Sequence, residues 1–156
     1  MSIWQPDPSF YPSPRMAMKA PAETLAYVAA FDPDRKRPDA IAVVDVDPTS
    51  ASYGKVVGQV DMPNTGDELH HFGWNACSSC LCPNAPHPHV ERRYLVVPGL
   101  RSSQIYIIDT KPDPRNPKIV RVIEPEEIAA TIAFCCSPAG AVLNGTVVHA
   151  DGGFQG

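Results

Sequence analysis

The sequence predicts a mainly β fold, a partial β-propeller of about two blades closed by a short α/β tail. Three observations lead there. The 156 residues include 18 Pro, and because an interior Pro removes a backbone hydrogen bond and clashes with the preceding turn, few windows admit an unbroken helix and a helical bundle is excluded. The apolar residues fall in short runs of about four to eight, most of them bounded by Pro, Gly, Asp or Asn, as strands are. These runs also recur as a group after roughly 64 residues, the signature of a sheet unit that must stack on its neighbour to bury both faces.

Taken in order, residues 1–22 carry Pro6, Pro8, Pro12, Pro14 and Pro21 and read as an extended arm lying over a surface. Strands are expected at Thr24 to Phe31, Ile41 to Val46, Lys55 to Val60, Tyr94 to Val97, Gln104 to Asp109 and Lys118 to Ile123. Ile41-Ala-Val-Val-Asp45 aligns with Ile105-Tyr-Ile-Ile-Asp109. Lys55 to Val60 aligns with Lys118 to Ile123 after one gap, and Tyr27-Val28 corresponds loosely to Tyr94-Leu95. The chain thus divides into the arm (1–22), the repeated strands (23–124) and a tail (125–156). In the tail, the spacing of Ile128, Ile132 and Cys135 predicts a helix and Thr146 to His149 a short strand.

Between the two repeats lies an insertion that concentrates the chemistry. Four of the five His and three of the five Cys fall between His70 and His89. Imidazole and thiolate are the side chains that hold zinc or copper, and Cys77-Ser-Ser-Cys80 spaces two sulfurs for one ion. His70, His71, Cys77 and Cys80 are therefore the candidate ligands. Adjacent residues of a strand point to opposite faces, so His70 and His71 meet one ion only where the backbone turns, a turn that Gly73 would permit. Asp67 and Glu68 either orient the imidazoles or are solvated. Trp74 is expected to pack the loop, and Cys82, His87 and His89 to be free loop residues. Cys135-Cys136 in the tail reads as a buried apolar pair. Five Cys, an odd number with four in Cys-x-x-Cys or adjacent spacing, points to metal or redox chemistry in a reducing compartment rather than to a disulfide framework.

The net charge is −4, from 13 basic and 17 acidic residues. No basic stripe tracks a phosphate backbone, which argues against nucleic acid, and Arg35-Lys36-Arg37 reads as a solvated loop. No apolar run approaches the roughly 18 residues of a membrane span, and residues 1–20 lack the apolar core of a secretory signal. The expected location is the cytoplasm, with no membrane partner.

The segment Asp67-Glu-Leu-His70-His71-Phe-Gly-Trp74-Asn75-Ala-Cys77-Ser-Ser-Cys80 resembles the signature of the selenium-binding protein family, whose members include methanethiol oxidases. Supporting segments are Val44-Asp45-Val46-Asp47-Pro48, Val60-Asp61-Met62-Pro63-Asn64 and Ser102-Ser103-Gln104-Ile105-Tyr106, so that the resemblance spans roughly residues 15 to 128. It implies a WD40-like, seven-bladed propeller of which this chain is the first quarter to third, an incomplete fragment whose missing blades would come from another chain. It also implies oxidation of methanethiol by oxygen and water to formaldehyde, hydrogen sulfide and hydrogen peroxide. Copper is the implied metal, with zinc the alternative, and His70, His71, Cys77 and Cys80 the implied site. Selenium binding is implied by the family, but Gly54 stands where animal members carry a cysteine implicated in it. After Pro125-Glu-Glu-Ile128 the tail, with Asn144-Gly-Thr-Val147 and Asp151-Gly-Gly-Phe154, resembles the ending of a short-chain dehydrogenase. The Gly-rich cofactor turn and the Tyr-x-x-x-Lys pair of those enzymes are absent, so their activity is not implied. An inactive fusion product, or a metal- or selenium-binding module without turnover, is the alternative to an oxidase.

Overall fold

The computed structural model describes residues 7–9, 11, 14–76, 89–143 and 148. Two antiparallel sheets carry the fold. The first has the order β1 (Leu25–Ala30), β2 (Pro38–Asp45), β3 (Val56–Thr65). The second has the order β4 (Gly73–Trp74), β5 (Tyr94–Pro98), β6 (Ile105–Asp109), β7 (Lys118–Ile123). All six expected strands are present. The sequence reading missed β4, a two-residue strand too short to show a period, and the continuation of β3 through Pro63, which a strand edge tolerates. No closed barrel forms among the described residues, and no helix among them is long and apolar enough to cross a membrane.

The repeat is real down to its irregularities. Val44 pairs with Val56 and Val43 with Gly58, while Ile108 pairs with Ile119 and Ile107 with Arg121, so both hairpins carry a bulge at the same place. Lys55 therefore corresponds to Lys118 with no gap inside the strand, and the extra residue lies in the β2–β3 turn. One alignment needs correction. Leu25 faces Asp45 as Tyr94 faces Asp109, which makes Leu25, not Tyr27, the counterpart of Tyr94.

Both repeated aspartates accept the backbone N–H two residues ahead and differ in their other partners. Asp45 is fully buried and accepts the backbone N–H of Asp47 at 3.0 Å and the hydroxyls of Ser50 and Ser52 at 2.7 and 2.5 Å. Asp109 accepts the N–H of Lys111 at 3.0 Å and the guanidinium of Arg93 at 2.8 and 2.5 Å. Side-chain oxygens that bond two residues ahead close such turns without help from a strand.

The sheets share one core. Ile41 and Met62 of the first meet Leu95, Val97, Tyr106 and Ile108 of the second, with Leu69 between them. The loop after β6 clamps the join. Pro114 O accepts the Tyr27 hydroxyl at 3.0 Å, Arg115 reaches Asp45 at 3.3 Å, and the Arg115 carbonyl comes so close to Gly58 that a Cβ there would lie 1.6 Å from it.

The ends of the chain depart from expectation. The arm is not uniformly extended, since Pro14–Ala17 form a helical turn, α1. The tail helix, α2 (Pro125–Cys135), begins with a reciprocal bond pair between Glu124 and Glu127, a capping box made with Glu in place of Ser or Thr. None of its residues is buried; among the described residues it packs chiefly on the short 3₁₀ turn Pro138–Gly140. Cys136 is consequently exposed and Cys135 half-buried, contrary to a buried pair; both thiols are free. The expected strand at 146–149 lies outside the described residues.

Candidate functional site

The segment from Asp67 to Asn75 is held from three directions. The turn after β5 pairs with it: Arg101 N–H donates to Asp67 O, Leu100 N–H to Glu68 O and His70 N–H to Pro98 O, all at 3.0–3.1 Å. From the first sheet, the buried carboxylate of Asp39 accepts the N–H of Leu69 at 3.3 Å. From β6, the buried Tyr106 donates its hydroxyl to Asp67 at 2.7 Å. Burial, followed by the carboxylate beside it, pushes the Tyr106 phenol up to about 12.

This frame resolves the alternatives at the two acids. Asp67 is buried against Tyr106 and braces the turn from beneath. Glu68 lies above it, paired with Arg101 and with its Oε1 3.7 Å from His70 Nε2, too far for a hydrogen bond. Four non-glycine residues take positive φ among the described residues, and two of them are Glu68 (56°) and His71 (49°). Such backbone costs about 1–3 kcal/mol and persists where the surroundings over-determine it, most often at functional sites.

His71 supplies the turn that had been assigned to Gly73, which sits in β4 without a positive φ. As a result the two imidazoles lie on one side, stacked with centroids 5.2 Å apart and planes 29° apart. Lone pairs of an imidazole lie in the ring plane, so nearly parallel rings direct them alongside one another rather than at one ion. No group of three or more His, Cys, Asp or Glu converges among the described residues. As placed, these side chains do not form a complete metal centre. Cys77 and Cys80, with Cys82 and His87, lie outside the described residues.

The chain leading to and from that loop is nonetheless fastened. Asn75 accepts the N–H groups of Arg93 and Tyr94 at 3.1 and 3.0 Å and donates to Glu91 O at 3.1 Å, tying the loop's entry to its exit. Trp74 packs as expected, edge-to-face on Tyr27 at 5.7 Å, with the Arg92 guanidinium 5.3 Å over its ring. The arm reaches the same place: Ser9 accepts the N–H of Arg92 at 2.9 Å. Tyr106, Asp39 and Arg101 were not singled out in the sequence. The signal for Tyr106 was a phenol inside an otherwise apolar run, since a buried hydroxyl requires a partner.

The model of the 56 kDa selenium-binding protein family matches residues 4–156. The chain belongs to that family. Selenium-binding protein 2 of Arabidopsis thaliana is 50% identical over 121 residues, 76% of this chain and 24% of that protein. Human methanethiol oxidase is 40% identical over 154 residues, 94% of this chain and 32% of that one. A hypothetical selenium-binding protein from Sulfolobus tokodaii, solved by X-ray crystallography, superposes with a TM-score of 0.70 at 66% identity, covering 78% of this chain and 27% of that one. The chain thus spans about a quarter to a third of the family members it matches. Both the family match and the human alignment run past residue 125, into the segment that resembles a short-chain dehydrogenase ending. Gly54 has φ +74° and donates its N–H to Asp45 O at 2.8 Å. A side chain there would have open space but a strained backbone.

Proposed function

We propose that this chain is the part of a methanethiol-oxidase-type selenium-binding protein that carries the histidine–cysteine segment, with its two sheets as consecutive propeller blades. The observation that carries the reading is the braced turn at Asp67 to His71, which places two imidazoles on one side of a strained backbone immediately before Cys77 and Cys80. The proposed substrate is methanethiol, consumed with oxygen and water to give formaldehyde, hydrogen sulfide and hydrogen peroxide. The proposed metal is copper, with zinc the alternative, held by His70, His71, Cys77 and Cys80; one imidazole must rotate out of the stack to join the other on one ion. When bound, copper supplies a soft centre for the substrate sulfur. The chain's own residues do the positioning. Glu68, paired with Arg101, stands 3.7 Å from the His70 ring, and the Tyr106–Asp67 bond holds the turn beneath them. The setting is a reducing, cytoplasmic compartment, and the remaining blades come from further polypeptide.

Metal analysis and oxygen uptake on the same purified sample test this reading. One equivalent of copper, lost in His70→Ala and in Cys77→Ser, with oxygen consumed on adding methanethiol, is the expected result. Copper retained without uptake would assign a binding module that does not turn over. Copper and zinc both well below one equivalent would overturn the site.

A further inference from the structure

The loop between β1 and β2, the start of β2 and the turn at Glu68 border a cavity of about 200 Å³, lined in part by Asp32, Arg35, Asp39, Glu68 and Arg101. Its charges pair off unevenly. Asp32 accepts the N–H groups of Asp34, Lys36 and Arg37, each at 3.1 Å, and lies 3.8 Å from the Arg37 guanidinium. Glu68 is paired with Arg101. One acid and one base remain, Asp39 and Arg35, and among the described residues neither has an ion-pair partner.

Asp39 is 1% exposed, and each of its oxygens accepts one N–H, from Asp32 and from Leu69, both at 3.3 Å. These bonds exceed the usual N–H···O range of about 2.7–3.2 Å. A carboxylate has room for about four donors. Aspartate is almost never fully buried unless it is paired, because an uncompensated charge is costly away from water. The space that Asp39 borders is therefore where a further donor belongs. Arg35 is brought to the same space by its backbone and its stem. Its φ is 54°, and the stem crosses Gly66 so closely that a Cβ there would meet Arg35 Cδ at 3.1 Å.

We infer that this cavity binds a small zwitterion, an α-amino acid, with its ammonium on Asp39 and its carboxylate on the Arg35 guanidinium. An ammonium brings the donors that the buried acid lacks, and a guanidinium offers a carboxylate two parallel N–H groups. A ligand with one charge would leave either Asp39 or Arg35 uncompensated, so neither a simple anion nor a simple amine suits the cavity. Phe31 and Pro33, which also line it, offer apolar contact to a short side chain. The proposal rests on the charges that remain after pairing, and on neither the metal nor the oxidase activity. Failure to bind copper leaves it standing, and failure here leaves the histidine–cysteine site standing.

The test is a titration of the whole ¹⁵N-labelled chain with L-alanine at neutral pH and low salt, followed by NMR, with a chelator present so that no metal contributes. The amide signals of Asp32 and Leu69, the two groups that donate to Asp39, should shift saturably with a midpoint below about 20 mM. Propionate and ethylamine each carry one charged end of alanine, and each should bind at least about tenfold more weakly. Arg35→Gln changes an exposed side chain, and with an unaltered Tm it should raise the alanine midpoint at least about tenfold. Three outcomes would overturn the proposal: no saturable shift at those two amides, propionate or ethylamine binding as well as alanine, or an unchanged midpoint in Arg35→Gln.

Discussion

Replacing Tyr106 by Phe removes a single oxygen from the centre of the molecule, and its cost follows from two burial values and one distance. Tyr106 is wholly inaccessible and Asp67 1% exposed, and the hydroxyl donates to the Asp67 carboxylate at 2.7 Å. Among the described residues no other side chain donates to Asp67, so the variant leaves a buried carboxylate short of its partner. A hydrogen bond to a charged group contributes about 1.5–3 kcal/mol, and a chain of this size loses about 2–4 °C in Tm per kcal/mol. A loss near 2 kcal/mol thus lowers Tm by about 4–8 °C. The assay is thermal unfolding followed by circular dichroism at neutral pH. In an Asp67→Asn background the loss from Tyr106→Phe should fall to roughly half, because a neutral pair bonds about half as strongly as a charged one. A Tm within about 1 °C of wild type, well short of that fall, or the same loss in both backgrounds, would refute the account of how the histidine turn is braced.

Gly58→Ala puts a Cβ onto the Arg115 carbonyl and should cost about 3 kcal/mol by forcing the clamp loop off the first sheet, measured as a fall in the urea midpoint without a change in slope. Arg93→Ala strips the buried Asp109 of its guanidinium partner and should cost about 2 kcal/mol; Arg93→Lys should recover only part of it, because an ammonium cannot reproduce the two-pronged contact. Acid should unfold the protein through the repeated aspartates. The Ser52 and Ser50 hydroxyls hold Asp45 down to about 2, and the Arg93 guanidinium holds Asp109 below its ordinary range. Since both folded values lie below the unfolded one, their stabilisation is complete above about pH 4 and is lost as pH falls toward about 2. A pH series of Tm should show that drop, and Asp45→Asn should flatten it.

The local order of the chain was legible in advance because its causes are local. Alternation and turn residues mark a strand wherever they occur, so six strands and their repeat could be placed from apolar runs punctuated by Pro, Gly and Asp. The His–Cys segment stood out for the same reason, as a cluster in sequence. Its internal arrangement was not legible. Whether Asp67 faced the imidazoles or the core depended on Tyr106, 39 residues away. Whether His70 and His71 shared a side depended on a positive φ at His71, which the bonds from Pro98, Leu100 and Arg101 to the segment help to hold. Nothing in the residue type of His71 announces that backbone.

Sequence by itself therefore determined six of the strands, that they come in two like sets, and which residue types gather between the sets. Tertiary structure decided what faces what: Asp67 under the turn and Glu68 above it, and Gly58 beneath the Arg115 carbonyl. The reason is physical. Strand periodicity is a property of consecutive residues, whereas burial and partnering depend on which distant segment arrives opposite, and many sequences with the same local pattern would bring a different one.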